Sequence, residues 1–147
     1  MAAESNDPHV NFHYRVELDG LPAAEFQECS GLKDTTEVVE LHEGGENSFV
    51  HKFIGNTKHA NIVLKHGMVT HSEALWEWRQ SITQYQSPRK IQGSIVLLSD
   101  TQEEVCRWTF KNAWPCRWEG PELKGGGNAL AIETLEIAHE GYTLTFS

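Results

Sequence analysis

Two apolar segments joined by a glycine-rich turn, between Arg107 and Gly141, constrain this chain more than any other part of it. In the first segment Trp108 and Phe110 alternate with polar residues, which is the period of two expected of a half-buried strand. The second segment follows the turn Gly125-Gly126-Gly127. The pattern predicts a long β-hairpin with a flexible glycine tip.

The second segment contains a break in its alternation. The apolar residues change parity between Ile132 and Leu135. This change predicts a β-bulge near Glu133 or Thr134, because a bulge inserts one extra residue into a strand. Such a bulge would re-aim the acidic side chains of Glu133 and Glu136.

Other strands are predicted along the rest of the chain. Phe12 to Leu18 alternates cleanly, and Asp19-Gly20 is a strong hairpin signal, so Leu21 to Cys29 is expected to return beside it with Phe26 inward. The β-branched run Thr35 to His42 favours another strand. Further strands are predicted at 61–67, 91–99 and 142–146.

A single helix is predicted, at about residues 71–85. Thr70-His71-Ser72-Glu73 has the spacing of a capping box, and Ser87-Pro88 ends the helical pattern. Its core-facing stripe is Leu75, Trp78, Ile82 and Tyr85. Trp76 lies off this stripe and is interpreted as either the edge of the core or a contact to an outer partner. The chain is therefore predicted to be mainly β, an antiparallel barrel or sandwich with one α-helix.

Length and charge limit the possible functions. The 147 residues fit one domain, 1–147, with residues 1–11 as a flexible N-terminal arm. The net charge of −9 argues against a protein that wraps nucleic acid by neutralising phosphates. No window is apolar enough for a membrane helix, and the N-terminus lacks the features of a signal peptide, so we expect folding in a cytoplasm.

Motifs for catalysis or metal binding are incomplete. His42-Glu43-Gly44-Gly45-Glu46 lacks the second histidine and the helix that a zinc-binding His-Glu-x-x-His motif needs. The triple glycine precedes a strand rather than the helix N-terminus of a phosphate cradle. Cys29, Cys106 and Cys116 have no metal-binding spacing and are interpreted as free thiols. We therefore predict no enzyme, no catalytic residue, no cofactor and no metal; a metal-dependent hydrolase would require stoichiometric zinc.

The tryptophans support an alternative function. Trp108, Trp114 and Trp118 could form an exposed platform that stacks on sugars, as in a carbohydrate-binding β-sandwich module. The competing interpretation is that they fill the core and a subunit interface. Regular alternation around Trp108 and the bend expected at Trp114-Pro115 favour the second interpretation.

The same segments resemble the tail tube proteins of contractile phages and of phage-tail-like contractile injection systems. The resemblance rests on Arg-Trp-x-Phe-x-Asn-Ala-Trp-Pro from Arg107, Trp-x-Gly-Pro from Trp118 and Ala-Ile-Glu-x-Leu-Glu-Ile-Ala-His-Glu-Gly from Ala131. Other matches extend roughly from Phe12 to Tyr142, although Lys52 to Lys58 lacks the proline commoner in the family. The resemblance implies the tail tube fold and a structural protomer whose hexameric rings stack into a hollow inner tube.

The resemblance also implies roles for particular residues. An extended loop at about 44–59 would contact the next ring, through Gly44, Gly45, Asn47, Lys52, Gly55 and Lys58. Hairpins from all subunits would join into one barrel, and the strand of Glu133 and Glu136 is the candidate for lining the lumen or the joint between subunits. The helix, with Trp76 and Arg79, would lie on the outer side of the tube.

The implied partners are those of a contractile particle. They are further copies of the chain, a sheath protein, baseplate and spike proteins, and a cargo protein, tape-measure protein or DNA inside the lumen. No membrane insertion of this chain is expected. The acidic composition adds a hypothesis: a lumen that weakly repels an acidic cargo would not hold it during passage.

Overall fold

The computed structural model describes residues 13–22, 26–42, 44–45, 49–67, 72–84, 89–123, 125–126 and 131–147. Several sequence predictions lie outside these residues: the arm at 1–11, the cap at Thr70, and the positions of Asn47, Tyr85 and Gly127. The described elements are β1 (His13–Leu18), β2 (Glu28–Ser30), β3 (Asp34–Leu41), β4 (His51–His59), β5 (Ile62–Gly67), α1 (Ser72–Thr83), β6 (Ile91–Leu98), β7 (Glu104–Glu119), β8 (Ile132–Ala138) and β9 (Tyr142–Phe146).

Strand β7 organises the fold, because both halves of the main sheet contain it. Its first half pairs with β6 on one side and β9 on the other, and β6 pairs in turn with β1. We call these four strands sheet A. Its second half pairs with β8, which pairs with β5 and then β2. We call these sheet B, and all pairings in both sheets are antiparallel.

Bulges bend β7 so that it can pair with strands of both sheets. Its register shifts against β6 and β8 at three places, near Val105, Asn112 and Cys116, and each time β7 contributes the extra residue. Asn112 has a φ of 51°, a conformation that asparagine tolerates better than most residues. The bulge predicted at Glu133 or Thr134 was therefore wrong: the irregularity lies across the ladder, in β7.

The hydrophobic core lies between the two sheets, and one face of the helix closes it. Sheet A contributes Val16, Ile95 and Phe110, and sheet B contributes Leu64 and Leu135, all at most 2% exposed. From the helix, Leu75 and Trp78 are buried in the same cluster. The predicted helix and its stripe are confirmed at these two residues, while Ile82 is only partly buried.

The structure confirms the mainly β fold with one helix, the β7–β8 hairpin and the C-terminal strand. The predicted hairpin after Asp19-Gly20 is wrong. Residues 19–20 do turn, but β1 pairs with β6 and β2 pairs with β5. The implied extended loop at 44–59 is also more regular than a loop, because β4 pairs with β3 over most of its length. We call this separate two-stranded sheet the ribbon.

Candidate assembly surfaces

The ribbon exposes large apolar side chains to solvent. Every residue of β3 is exposed, and the exposed fractions reach 57% for Val38, 52% for Phe53 and 90% for Ile54. Val39, Leu41 and, before β4, Phe49 are also exposed. An isolated two-stranded sheet is marginally stable in water, and exposed apolar side chains in this number commonly mark an interaction site. The ribbon thus has the properties of an interaction surface.

The predicted loop residues lie at different places on this ribbon. Gly44 and Gly45 form the turn beyond β3, and a Cβ on either would meet no atom within 4 Å. Gly55 lies at a bulge opposite Glu37, where a Cβ would come 2.9 Å from the Glu37 carbonyl oxygen. The close approach of the two backbones explains this glycine. Lys52 and Lys58 are both exposed, opposite Glu40 and Thr35 respectively.

Contacts at its base attach the ribbon to the main sheet. The Tyr142 hydroxyl donates to Asp34 Oδ2 at 2.9 Å, and the ring of His59 meets that of Tyr142 edge-on at 5.2 Å. His139 contacts the Ala60 carbonyl oxygen through Nε2 at 3.0 Å and accepts from the Gly141 amide at Nδ1. These contacts join both strands of the ribbon to the segment between β8 and β9. They fix the position of the ribbon base relative to sheet A.

Sheet A has an unpaired strand at each edge among the described residues. β1 pairs only with β6, and β9 pairs only with β7. The side of sheet A that faces away from the core we call the polar face. Its register places two rows across the four strands: Arg15, Val96, Arg107 and Thr145 in one, and Glu17, Ser94, Thr109 and Thr143 in the other.

Ion pairs cover the polar face. Arg107 lies 2.9 Å from carboxylate oxygens of both Glu17 and Glu104, and Arg15 Nε donates to Glu17 at 2.8 Å. The hydrogen bond from Arg107 is the largest cause that lowers the pKa of Glu17, and the same holds for Glu104. Glu104 reaches this face because the bulge at Val105 shifts the alternation of β7.

Glu133 is not on any surface. Its side chain is 1% exposed, Oε2 lies 2.9 Å from Nε2 of His66, and Trp118 Nε1 donates to Oε1. The prediction that Glu133 lines a lumen or a joint was therefore wrong for its side chain. We call Glu133, His66 and Trp118 the buried cluster.

Glu136 is half-buried on the other side of β8. It accepts a hydrogen bond from Asn61 at 3.0 Å and lies 3.6 Å from Arg117 Nε. The Asn61 hydrogen bond is the main cause that lowers the pKa of Glu136. β8 pairs on both sides, with β5 and β7, so it offers no free edge for a joint.

The helix presents both predicted outer residues near the second half of β7. Trp76 is 41% exposed and its ring lies 4.8 Å from that of Trp118. Arg79 donates to the Pro115 carbonyl oxygen at 2.8 Å. The hydrogen bond holds the helix against the second half of β7, and Trp76 lies at the edge of the core with part of its ring in solvent.

The sugar-binding alternative is not supported. Trp108 and Trp118 pack against the hydrophobic core, so the three indoles do not share one exposed face. Cys29, Cys106 and Cys116 are free thiols, and burial raises the pKa of Cys29 to about 11. No group of metal-ligating side chains occurs within the described ranges. The helix α1 is not a candidate membrane span.

Comparison with known protein families gives a match that covers most of the chain. The family model of the T4-like virus tail tube protein gp19 matches residues 10–143. No curated protein sequence matches the chain.

Solved structures extend this result. A chain in the cryo-EM structure of the anti-feeding prophage (AFP) baseplate has 27% identity and a TM-score of 0.84, over 97% of this chain and 98% of that one. A chain in the extended sheath-tube complex of the extracellular contractile injection system PVC has 22% identity and a TM-score of 0.85, over 97% and 94%. Hcp1 from Flavobacterium johnsoniae shares the fold more distantly, at 13% identity and a TM-score of 0.59, over 91% and 95%.

Proposed function

Because the chain belongs to the family of T4-like virus tail tube proteins, we propose that it is the inner-tube protomer of a contractile tail or injection particle, assembling as hexameric rings that stack into a hollow conduit. It is a structural component rather than an enzyme. Its work is assembly: free sheet edges and exposed apolar surface are covered when copies associate.

The observation that carries the proposal is the pair of free edges on sheet A. The four strands alternate in direction in the order β1, β6, β7, β9, so β9 runs opposite to β1. A neighbouring copy can therefore add its β1 to β9 and continue the antiparallel order. Closing the ring leaves sheet A with no exposed edge, and an exposed edge otherwise invites aggregation.

The expected dimensions suit a conduit. Six copies of a four-stranded sheet give about 24 strands, and a spacing of about 4.8 Å gives a circumference of about 115 Å. The diameter is about 37 Å for upright strands and about 45–50 Å at the tilt of about 35–45° usual in barrels. In this arrangement the polar face lines the lumen and the hydrophobic core lies outside it. The proposed lumen surface is thus sheet A rather than the strand of Glu136.

The ribbon supplies the contact between rings in this proposal. Its exposed apolar side chains, headed by Ile54, would be covered by a protomer of the next ring. Residues Gly44 and Gly45 would lie at the leading turn, with Lys52, Gly55 and Lys58 along β4. The anchoring by Tyr142 and Asp34 would keep the ribbon at a fixed angle to the wall.

The remaining partners follow from the architecture of such particles. We assign the outer side of the tube to the helix, where Trp76 and Arg79 would face a sheath protein. Baseplate and spike proteins would meet the end of the tube. A cargo protein, a tape-measure protein or DNA would occupy the lumen, and assembly would take place in a bacterial cytoplasm.

Replacing Leu144 by proline tests ring closure. The Ser147 amide donates to the Val105 carbonyl and the Lys111 amide to the Gly141 carbonyl, so odd-numbered residues of β9 form the hydrogen-bonded pairs with β7. The amide of Leu144 therefore points to the free edge. Leu144→Pro removes an outward donor and leaves the pairing with β7 intact.

We expect Leu144→Pro to remain a folded monomer in size-exclusion chromatography and to form no rings in negative-stain electron microscopy. The wild type and Leu144→Ala, which keeps the amide, should form rings with a central hole. Circular dichroism and thermal unfolding verify that the proline variant is folded. Rings formed by Leu144→Pro would contradict the proposed joint, and absence of rings in the wild type at high concentration would contradict the proposed function.

The ribbon turn gives a second test. Leucine at both Gly44 and Gly45 is expected to leave rings intact but to prevent stacking, because the added side chains project where nothing within 4 Å contacts them in the protomer. Leucine at Gly125 and Gly126 is the matched control, since that turn has the same open space and the second glycine of each pair has positive φ. Normal tubes from the first variant would contradict the role of the ribbon turn.

A further inference from the structure

The positive charges at the centre of the polar face all have carboxylate partners. Arg107 contacts Glu17 and Glu104 at 2.9 Å each, and Arg15 contacts Glu17 at 2.8 Å. Ser147 Oγ donates to the second oxygen of Glu104 at 3.2 Å. The four charged groups, two arginines and two glutamates, therefore form one closed network.

The network extends across three strands of sheet A. The bridge from Arg107 in β7 to Glu17 in β1 crosses over β6, which lies between them. Beneath this bridge, Val96 is 0% exposed even though it lies on the side of sheet A away from the core. The stems of long charged side chains cover apolar surface in this way. The side chain of Arg107 thus lies along the polar face, and its guanidinium group faces Glu17 across β6.

The acidic excess of the protein is not on this face. The polar face contains Arg15, Arg107 and, by alternation, Lys111 as cations, and Glu17, Glu104 and, by the same alternation, Asp19 as anions. This gives 3 − 3 = 0, against −9 for the whole chain. Lys111 lies at the end of the face, in a cleft that it shares with Glu140. The hypothesis of a lumen that repels cargo through excess acids is therefore not supported by this wall.

We propose that Glu17 and Glu104 are built-in counter-ions that prevent the arginines of the wall from binding anionic cargo. The inference rests on the proposed function, in which the polar face lines the conduit. The opposite charges are 2.9 Å apart, which is much less than the screening length of about 8–10 Å. At a distance of one screening length from the pair, their potentials therefore largely cancel. Without the two carboxylates, each ring would present up to twelve unpaired guanidinium groups to a passing polyanion. An acidic polypeptide or a nucleic acid can thus slide along the polar face without being retained.

The test is retention of a fluorescent 20-nucleotide single-stranded DNA by assembled tubes, measured by co-sedimentation in a series of salt concentrations. Wild-type tubes should retain almost none. Tubes of Glu17→Gln/Glu104→Gln should bind the oligonucleotide at least about tenfold more tightly at low salt. Affinity should fall steeply as salt increases, because each phosphate contact releases a counter-ion. Adding Arg107→Ala to the double variant should remove most of this binding.

Glu73→Gln/Glu77→Gln on the exposed side of the helix is the matched control, because it changes the net charge equally away from the polar face. If the double variant retains no more oligonucleotide than this control, the inference is overturned. If the double variant does not assemble, the single variant Glu104→Gln is tested in its place. This variant keeps the ion pair between Arg107 and Glu17 across β6.

Failure of the proposed function has a different signature, since the wild type would then form no tubes in electron microscopy. The charge network belongs to one protomer, so fluorescence anisotropy with the soluble protein tests the masking of Arg107 in that case too. Equal binding by the soluble double variant and its control would also overturn the inference.

Discussion

Replacing His66 by leucine should lower the free energy of unfolding of the protomer by about 3–5 kcal/mol. The reason is the carboxylate of Glu133, which is buried with His66 Nε2 at 2.9 Å. After the substitution its second oxygen loses this neighbour, and no described residue donates a hydrogen bond to that oxygen. Among the described residues, the indole of Trp118 would remain as the only donor to the carboxylate. A buried charge left with one donor is costly because water cannot replace the lost contact.

The energy of the interaction between His66 and Glu133 follows from comparing the single variants with the double variant. Glu133→Leu alone leaves His66 and the Trp118 N–H without the neighbouring carboxylate, which costs about 1–3 kcal/mol for each buried polar group. The double variant His66→Leu/Glu133→Leu removes both polar groups at once. It should be more stable than His66→Leu alone, because replacing a buried pair by apolar residues is often nearly neutral. The cycle should therefore show a coupling energy of about 2 kcal/mol or more.

Guanidinium unfolding followed by tryptophan fluorescence measures these differences at neutral pH, with Trp118 itself in the buried cluster. The control is His13→Leu, since His13 is exposed in β1 and the change should stay within about 0.5 kcal/mol. The whole protomer is expected to have only about 5–15 kcal/mol of stability, so a loss of the predicted size is easily resolved. If His66→Leu costs less than about 1 kcal/mol, or if the double variant costs the sum of the singles, the reasoning is refuted.

Two further predictions concern the core of sheet A and its charge network. Gly93→Ala should lower the free energy of unfolding by about 1–3 kcal/mol through overpacking, because its Cβ would come 2.6 Å from Phe110 Cζ and 2.9 Å from Leu18 Cδ2. Adding Phe110→Leu should restore part of the loss. A urea midpoint of Gly93→Ala equal to that of the wild type would contradict this account of the packing. The free energy of unfolding should also decrease as pH falls below about 4.5, since Arg107 lowers the pKa of Glu17 from 4.5 and the unfolded chain then binds the proton more readily. Glu17→Gln should show a shallower decrease in the same urea series, and an unchanged slope would argue against this contribution.

Local patterns predicted most elements of the fold. The helix was predicted at about 71–85 and is observed at Ser72–Thr83, because apolar spacing and the following proline act within a few residues. The hairpin of β7 and β8 followed equally from alternation and the glycine turn. The strand predicted at 91–99 is observed at Ile91–Leu98, and Ile95 and Val96 within it are buried.

Partners distant in sequence were not predictable from such patterns. The turn at Asp19-Gly20 is real, yet the partner of β1 is β6, where Val16 lies opposite Ile95. A turn signal determines that the chain changes direction and does not determine which strand it joins.

Glu133 illustrates the same limit at the level of one side chain. It occupies a core position in the alternation with Leu135 and Ile137, whereas the apolar Ile132 is exposed. The change of parity among the apolar residues therefore suggested a bulge that does not occur in this strand. The residues that accommodate it, His66 and Trp118, come from β5 and β7 and are invisible to a local pattern. The only available signal was that His66 follows Ile62 and Leu64 at alternate positions, on the apolar face of its strand.

The shared strand β7 has a mechanical consequence. In a sandwich whose sheets touch only through side chains, the layers can shear by sliding. Here a single backbone of 16 residues runs through both layers, and its pairing is interrupted at three bulges. The helix is tied to the same strand through Arg79 and Pro115. A force applied to sheet A would therefore reach the opposite side of the molecule through covalent bonds, and the protomer would respond as a stiff wedge.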